Sequence, residues 1–208
     1  GPFRPGSPGM RQQFAQMQNR VRGARRSPVP VTPPVAAAPA ATATVILGID
    51  PSLRGTGYGV LRTGRPQPTA LAFGTIRCPA GWELSRCLVR IAETIREVVR
   101  QHQPAVCVVE GLFYAQNLRT ALIIGEARGA ALVAVAEAGL AIYEIAPRKV
   151  KQAIVGYGAA QKLAVAKMVQ RALRLAEAPE PDAADALALA LAHAQQAGRY
   201  ALTPLKRV

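Results

Sequence analysis

Read for the spacing of its apolar residues, the chain divides into a polar, aperiodic opening and a body where strand-like and helix-like patterns alternate. Val45-Ile46-Leu47-Gly48-Ile49 is a short apolar run that stops at Asp50. That is the pattern of a central buried strand carrying a carboxylate at its tip. Pro51 to Gly59 then supplies four turn formers in nine positions, so the chain reverses and leaves Asp50 at an edge of the sheet. Tyr58 to Arg62 and Leu71 to Arg77 read as two more strands. The turn-rich stretch between them, Thr63-Gly64-Arg65-Pro66-Gln67-Pro68, suits an antiparallel meander.

From Glu83 to Gln103 the period changes to that of a helix. Leu84, Leu88, Ile91, Ile95, Val98 and Val99 fall on one side and Arg86, Arg90, Arg96 and Arg100 mostly on the other. Pro104 ends it, and Ala105 to Val109 is a fourth strand, again closed by a carboxylate, Glu110. Because a helix separates the third strand from the fourth, the fourth can run parallel to the first. Asp50 and Glu110 are then expected ~5–10 Å apart, at the edge where open α/β sheets bind ligands.

Asn117 is a good cap for a helix running to about Ala138, with Gly139 as its stop. Gly125 and Gly129 within it allow close approach of another backbone. The favoured reading is packing on the sheet, with a subunit interface as the alternative; Glu126, Arg128 and Glu137 exclude a membrane pairing. Ala141 to Ile145 gives a fifth strand, followed by Arg148, Lys149 and Lys151 and the turn Gly156-Tyr157-Gly158. Helices are expected from about Gln161 to Leu175 and from Asp182 to Gln195. The whole is an α/β fold, a five-stranded mixed sheet flanked by helices.

Composition adds a partner class. Against 12 acidic residues stand 26 basic ones, a formal net charge of +14, beyond the ~2–8 of a merely soluble small domain. Counterion release and steering make nucleic acid the leading partner. Residues 1–44 hold eight prolines, six arginines and no acid, the composition of a disordered basic tail. The opening GPFRPGSPG reads as a vector remnant ahead of Met10 as the natural start. Removing those six arginines from +14 leaves +8 on residues 45–208, so the chain beyond the tail is itself basic; residues 45–198 are the expected folded part and residues 199–208 a short basic end. Cys78, Cys87 and Cys107 lack metal-site spacing and read as buried thiols in a reducing compartment. With neither a secretion signal nor a membrane span in sight, a cytoplasmic protein is expected.

The candidate chemistry is carried by carboxylates. The only three aspartates are Asp50, Asp182 and Asp185. The last two lie one turn apart at the start of a helix, where acids usually just complement the helix dipole. Here they share the chain with two strand-ending carboxylates on a basic surface. Four such groups at one place repel each other unless divalent cations neutralise them. Oxygen-only ligands favour Mg²⁺ or Mn²⁺ over zinc. A pair of such ions can activate water and steady the leaving oxygen at phosphorus, so hydrolysis of a phosphodiester is the most economical reading.

The same residues match a family. Ile49-Asp50-Pro51-Ser52 with Thr56-Gly57-Tyr58-Gly59-Val60, Val109-Glu110 followed by Phe113, Gly125-Glu126-Ala127-Arg128-Gly129, and Asp182-Ala183-Ala184-Asp185-Ala186-Leu187-Ala188 resemble RuvC, the bacterial Holliday-junction resolvase. One departure is that the family commonly has glycine after the proline of the first motif, where this chain has Ser52. The resemblance implies a ribonuclease H-like fold and a homodimer that makes paired, symmetric nicks across four-way junction DNA in recombination and repair. It implies Asp50, Glu110, Asp182 and Asp185 as catalytic metal ligands for two Mg²⁺ ions, with Mn²⁺ as a substitute. It puts Phe113 in a loop that engages bases near the crossover, and matches Lys151 and Lys162 to positions that contact DNA or support its cleavage. A branch-migration motor of the RuvA–RuvB type is the implied partner.

From the residues alone, Phe113 is a loop aromatic able to stack on an unpaired base for ~1–3 kcal/mol, or to fold back on the domain. Lys151 and Lys162 belong to segments expected near the acidic edge, and Arg119 and Arg148 are weaker candidates for phosphate contact. His193, ~16 Å along a helix from Asp182, is too far to share a metal with it. The competing readings are a non-catalytic junction binder of the same fold, a ribonuclease H-like nuclease acting on another nucleic acid, and an actin-like kinase. The last would need a second domain.

Overall fold

The computed structural model describes residues 43–111, 117–197 and 206–208. The expected tail, apart from its last two residues, lies outside them, as does Phe113. Among the described residues six strands and five helices follow in the order β1 (Val45–Asp50), β2 (Gly55–Arg62), β3 (Thr69–Arg77), α1 (Leu84–His102), β4 (Val106–Glu110), α2 (Leu118–Glu137), β5 (Ala141–Ile145), α3 (Pro147–Val155), α4 (Lys162–Leu173), α5 (Pro181–Ala197) and β6 (Lys206–Arg207). The strands lie in the order β3-β2-β1-β4-β5-β6. The first three form the expected antiparallel meander, and β4 runs parallel to both β1 and β5.

Three differences from the sequence reading have local causes. The sheet has a sixth strand, because Lys206 and Arg207 pair antiparallel with Glu144 and Tyr143 of β5; two residues are too few to show an alternation. Residues 147–155, read as a basic connection, form α3, which starts with Pro147, buries Val150 and Ile154 one turn apart and stops at Gly156 with φ 99°. Strand β2 begins at Gly55 and not Tyr58, which shortens the reversal after Asp50 to Pro51–Arg54. The buried Thr56 closes that turn, its hydroxyl donating to the Ser52 carbonyl at 2.5 Å and accepting from the Ser52 amide at 3.2 Å.

Apolar residues fill both faces of the sheet. On one face Leu47, Ile49, Val60, Cys107 and Val109 meet α1 and α2; on the other Ile46, Leu61, Val106 and Val108 meet α3, α4 and α5. Helix α5 is the most enclosed of the described helices, with every residue from Ala186 to Ala192 buried. It sits so low because glycines open the sheet beneath it. A Cβ on Gly48 would collide with the Ala186 carbonyl, one on Gly57 with the Asp182 carbonyl, and one on Gly59 with Leu187. Helix α2 is built otherwise. Its glycines do not pack on the sheet as favoured from sequence: among the described residues nothing lies within 4 Å of a Cβ placed on Gly125 or Gly129. They share a stripe with the exposed Leu118, Leu122 and Val133.

Candidate active site

The parallel pairing of β1 with β4 sets Ile49 opposite Val109, so Asp50 and Glu110 leave the sheet side by side. Alternation along each strand turns both toward α5, the side on which Ile46 and Val108 are buried. Opposite Asp50 on its other flank is Gly57, the glycine on which the Asp182 carbonyl is seated. The first turn of α5 is therefore held over the tip of β1, and Asp182 and Asp185 come to the same edge as Asp50 and Glu110.

Lys162, the first residue of α4, reaches into this group. Its Nζ lies 3.2 Å from Asp185 Oδ2 and 3.7 Å from Asp182 Oδ1. Asp50, Glu110, Asp185, Lys151 and Lys162 line a recess of about 180 Å³ whose apolar floor includes Val150 and Val165. Asp182 stands at the rim, half exposed. Burial withdraws Asp50, Glu110 and Asp185 in large part from water.

Charge in the recess is poorly compensated. Burial, then the neighbouring Glu110 and Asp185, pushes the Asp50 carboxyl up to about 8. Burial likewise raises Glu110, against the relief it gains by accepting a hydrogen bond from Asp50. Burial and the neighbouring acids thus favour a proton on Asp50, shared toward Glu110. Asp185 is raised by burial despite the lysine beside it. Burial works against the charge on Lys162, and Asp185, with Asp50 and Asp182, more than restores it, so its ammonium is held above the usual range.

A divalent cation fits the chemistry of these donors. All are hard carboxylate oxygens, and the chain neutralises them with two weaker devices, a shared proton and a lysine. Asp50, Glu110 and Asp185 share the recess, and Asp182 lies beside them across Lys162. No three His, Cys, Asp or Glu side chains among the described residues stand as a ready-made ligand cluster.

Of the other sequence candidates, Arg119 is exposed in the first turn of α2, where its amide donates to the Asn117 side chain at 2.8 Å. Arg148 is exposed with its side chain folded over Gly158. Neither lines the recess. His193 packs its ring on Tyr143 at 5.3 Å, away from the carboxylates. Sequence reasoning passed over Arg54, which donates to the Pro79 and Trp82 carbonyls at 2.5 and 2.9 Å and so ties the turn after Asp50 to the start of α1. It also passed over the pair of Arg128 and Glu144, 2.6 Å apart. No sequence spacing marks either contact, since each joins residues from different elements.

The model of the family described as crossover junction endodeoxyribonuclease RuvC matches residues 46–193. The crossover junction endodeoxyribonuclease RuvC of Halorhodospira halophila is 48% identical over 151 residues, 73% of this chain and 90% of that protein. That of Stutzerimonas stutzeri is 48% identical over 161 residues, 77% and 91% of the two chains. Among solved structures, T. thermophilus RuvC in complex with Holliday junction substrate superposes with a TM-score of 0.72 at 36% identity, covering 79% of this chain and 99% of the other. The yeast mitochondrial Holliday junction resolvase Ydc2, at 12% identity and a TM-score of 0.52 over 75% of this chain and 82% of that one, shares the fold.

Proposed function

The chain belongs to the RuvC family of crossover junction endodeoxyribonucleases and is a Holliday-junction resolvase; we propose that it cuts with Asp50, Glu110, Asp182 and Asp185 as the catalytic metal ligands. The observation that carries this reading is the meeting of carboxylates from β1, β4 and α5 beside one recess, between Lys151 and Lys162. When bound, two divalent ions, Mg²⁺ with Mn²⁺ as a substitute, would supply an ionised water and charge at the leaving oxygen.

The side chains do the rest. Asp50 gives up the proton it shares with Glu110, so the pair turns from a hydrogen-bonded acid into two oxygen donors. Lys162, released from Asp182 and Asp185, is free to meet a backbone phosphate, and Lys151 offers a second cation across the recess. The apolar floor excludes water and strengthens each of these interactions. Phe113, three residues beyond Glu110 in sequence, is taken to stack on a base at the crossover, with Arg119 and Arg148 as outlying phosphate contacts.

Paired nicks require two sites, and the reading includes a homodimer. Leu118, Leu122 and Val133 are 77%, 61% and 53% exposed, and Gly125 and Gly129 between them are open. A helix apolar on both its buried and its outer face calls for a second layer, which supports α2 packing on α2 of another copy. Residues 45–198 are taken as the nuclease domain and the basic tail, residues 1–44, as a source of nonspecific affinity. A branch-migration motor of the RuvA–RuvB type and a cytoplasmic setting complete the proposal. No helix among the described residues is long and apolar enough to cross a membrane.

The test is cleavage of a labelled mobile four-way junction beside duplex, single-stranded and RNA–DNA hybrid controls, with Mg²⁺, with Mn²⁺ and with EDTA. Symmetric, metal-dependent nicks confined to the junction are expected. Binding without cleavage under every metal would leave a junction-binding protein, and preference for a control would move the substrate to another nucleic acid.

A further inference from the structure

On the face of the sheet away from the recess lies an ion pair that the proposed chemistry does not use. Glu144 is opposite Val109 in the pairing of β5 with β4, and Glu110 is opposite Ile145. Alternation therefore turns Glu144 to the α2 side, while Glu110 faces α5. Just past Glu110, the Gly111 amide donates to the Ile145 carbonyl at 2.9 Å. A Cβ on Gly111 would lie 3.1 Å from Glu144 Cγ and 3.4 Å from its Oε1. The Glu144 side chain thus lies flat on the backbone that ends the catalytic strand.

Arg128 of α2 holds it there, with Nη2 2.6 Å from Glu144 Oε2 and side-chain exposures of only 12% and 19%. Lys206 of β6 adds a second cation, 3.1 Å from Oε1. The pairs Arg77 with Glu180, Arg96 with Glu137 and Arg100 with Glu97 are each about half exposed or more. A recessed ion pair loses hydration that its attraction only partly returns, and two apolar side chains would serve stability as well. Arg128 adds to that cost, since its Nε is buried without a partner. What the charges give that apolar residues would not is a fixed position for the Glu144 side chain, packed against the peptide that follows Glu110.

We infer that Arg128 and Glu144 are positioning residues for Glu110, acting through Gly111, with Lys206 as an outer support. The inference rests on the reading of Glu110 as a metal ligand. Partners that orient a ligand from behind typically govern 10–100-fold in metal affinity or activity.

The test compares the parent with Arg128→Met/Glu144→Leu, which replaces the ion pair by apolar side chains of similar length. Mn²⁺ affinity is measured by calorimetry without DNA, beside junction affinity, melting temperature and cleavage over a range of Mn²⁺. Expected are a melting temperature and junction affinity near the parent's, Mn²⁺ affinity lower by about 10-fold or more, and cleavage that recovers in part at excess Mn²⁺. Parental Mn²⁺ affinity in the folded variant overturns the inference. Should the double variant not fold, Glu144→Ala, which removes the contact on Gly111 from one side, carries the same expectation and the same overturning result. If the parent itself neither binds Mn²⁺ nor cuts, the assignment of the site falls and takes the inference with it. If the parent does both and the variants equal it, only the inference falls.

Discussion

Helices α5 and α2 are both rich in alanine, both nearly free of the one-sided pattern of a surface helix, and both associated with glycines, yet they are used in opposite ways. Beneath α5 the glycines belong to the sheet: Gly48, Gly57 and Gly59 let the helix backbone rest on β1 and β2, and every residue from Ala186 to Ala192 is buried. On α2 the glycines belong to the helix and face outward, between exposed leucines and a valine. A glycine under a helix fixes where that helix sits; a glycine on its outer face leaves room for something absent from the chain. The first arrangement builds the site, because lowering α5 onto Gly57 brings Asp182 and Asp185 to the tip of β1. The second is the basis for the proposed dimer.

The contrast is broken most severely at Gly48. Gly48→Val would drive a side chain into the Ala186 backbone, which cannot yield as a side-chain tip can. A loss of about 3 kcal/mol or more is expected in denaturant unfolding, together with junction cleavage. Gly125→Val on α2 meets open space. It should cost about 1 kcal/mol or less in stability while shifting the proposed dimer to monomer by light scattering, with single nicks in the junction spared more than paired ones. Equal stability losses for the two valines would end the distinction.

Next in size is Asp50→Asn. Cleavage should fall by about 10³-fold or more, the size of effect seen when a group central to transition-state charge is lost, with junction binding retained. In the metal-free protein the same change should stabilise. The folded-state Asp50 carboxyl is raised from 3.8 to about 8, so the folded protein binds the extra proton. That contribution is fully present below pH 4, declines as the pH rises from about 4 to about 8, and is absent above. Asn has no proton to lose. Melting temperatures at pH 9 in EDTA should therefore be higher for Asp50→Asn than for the parent, by roughly 5 °C or more, with the difference shrinking toward pH 4. A variant less stable than the parent at pH 9 would show that Asp50 is not under charge strain.

How much of this could be read from sequence follows from the same contrast. The ends of β1 and β4 were legible because each is an apolar run stopped by a carboxylate, the first turn of α5 because Asp182 and Asp185 stand three apart ahead of an alanine- and leucine-rich run, and the parallel order of β1 and β4 follows from the intervening helix. The seat of α5 was not read, although Gly48, Gly57 and Gly59 are visible, because glycine in a strand reads equally as a turn or a bulge. The outward face of Gly125 and Gly129 could not be read either. A small residue does not say which neighbour it is small for, and packing on the sheet was the favoured reading. Helix α3 was hidden by three cations in its first five residues. The contact of Glu144 with Gly111 joins two strands across the sheet, a relation set by register alone.

The smallest effect belongs to Lys162, which neither builds the fold nor sets the sheet. It stands at the mouth of the recess, 60% exposed, where an ion pair contributes at most about 1 kcal/mol. Replacing it with methionine should leave the melting temperature within about 2 °C of the parent's. Its nearness to Asp182 and Asp185 means that it competes with any divalent ion for those oxygens. Lys162→Met should therefore bind Mn²⁺ in the absence of DNA at least as tightly as the parent, yet cut the junction more slowly at saturating metal. If metal affinity instead fell with cleavage, Lys162 would be holding the carboxylates in place, and the recess would need the same kind of support that Gly57 gives α5.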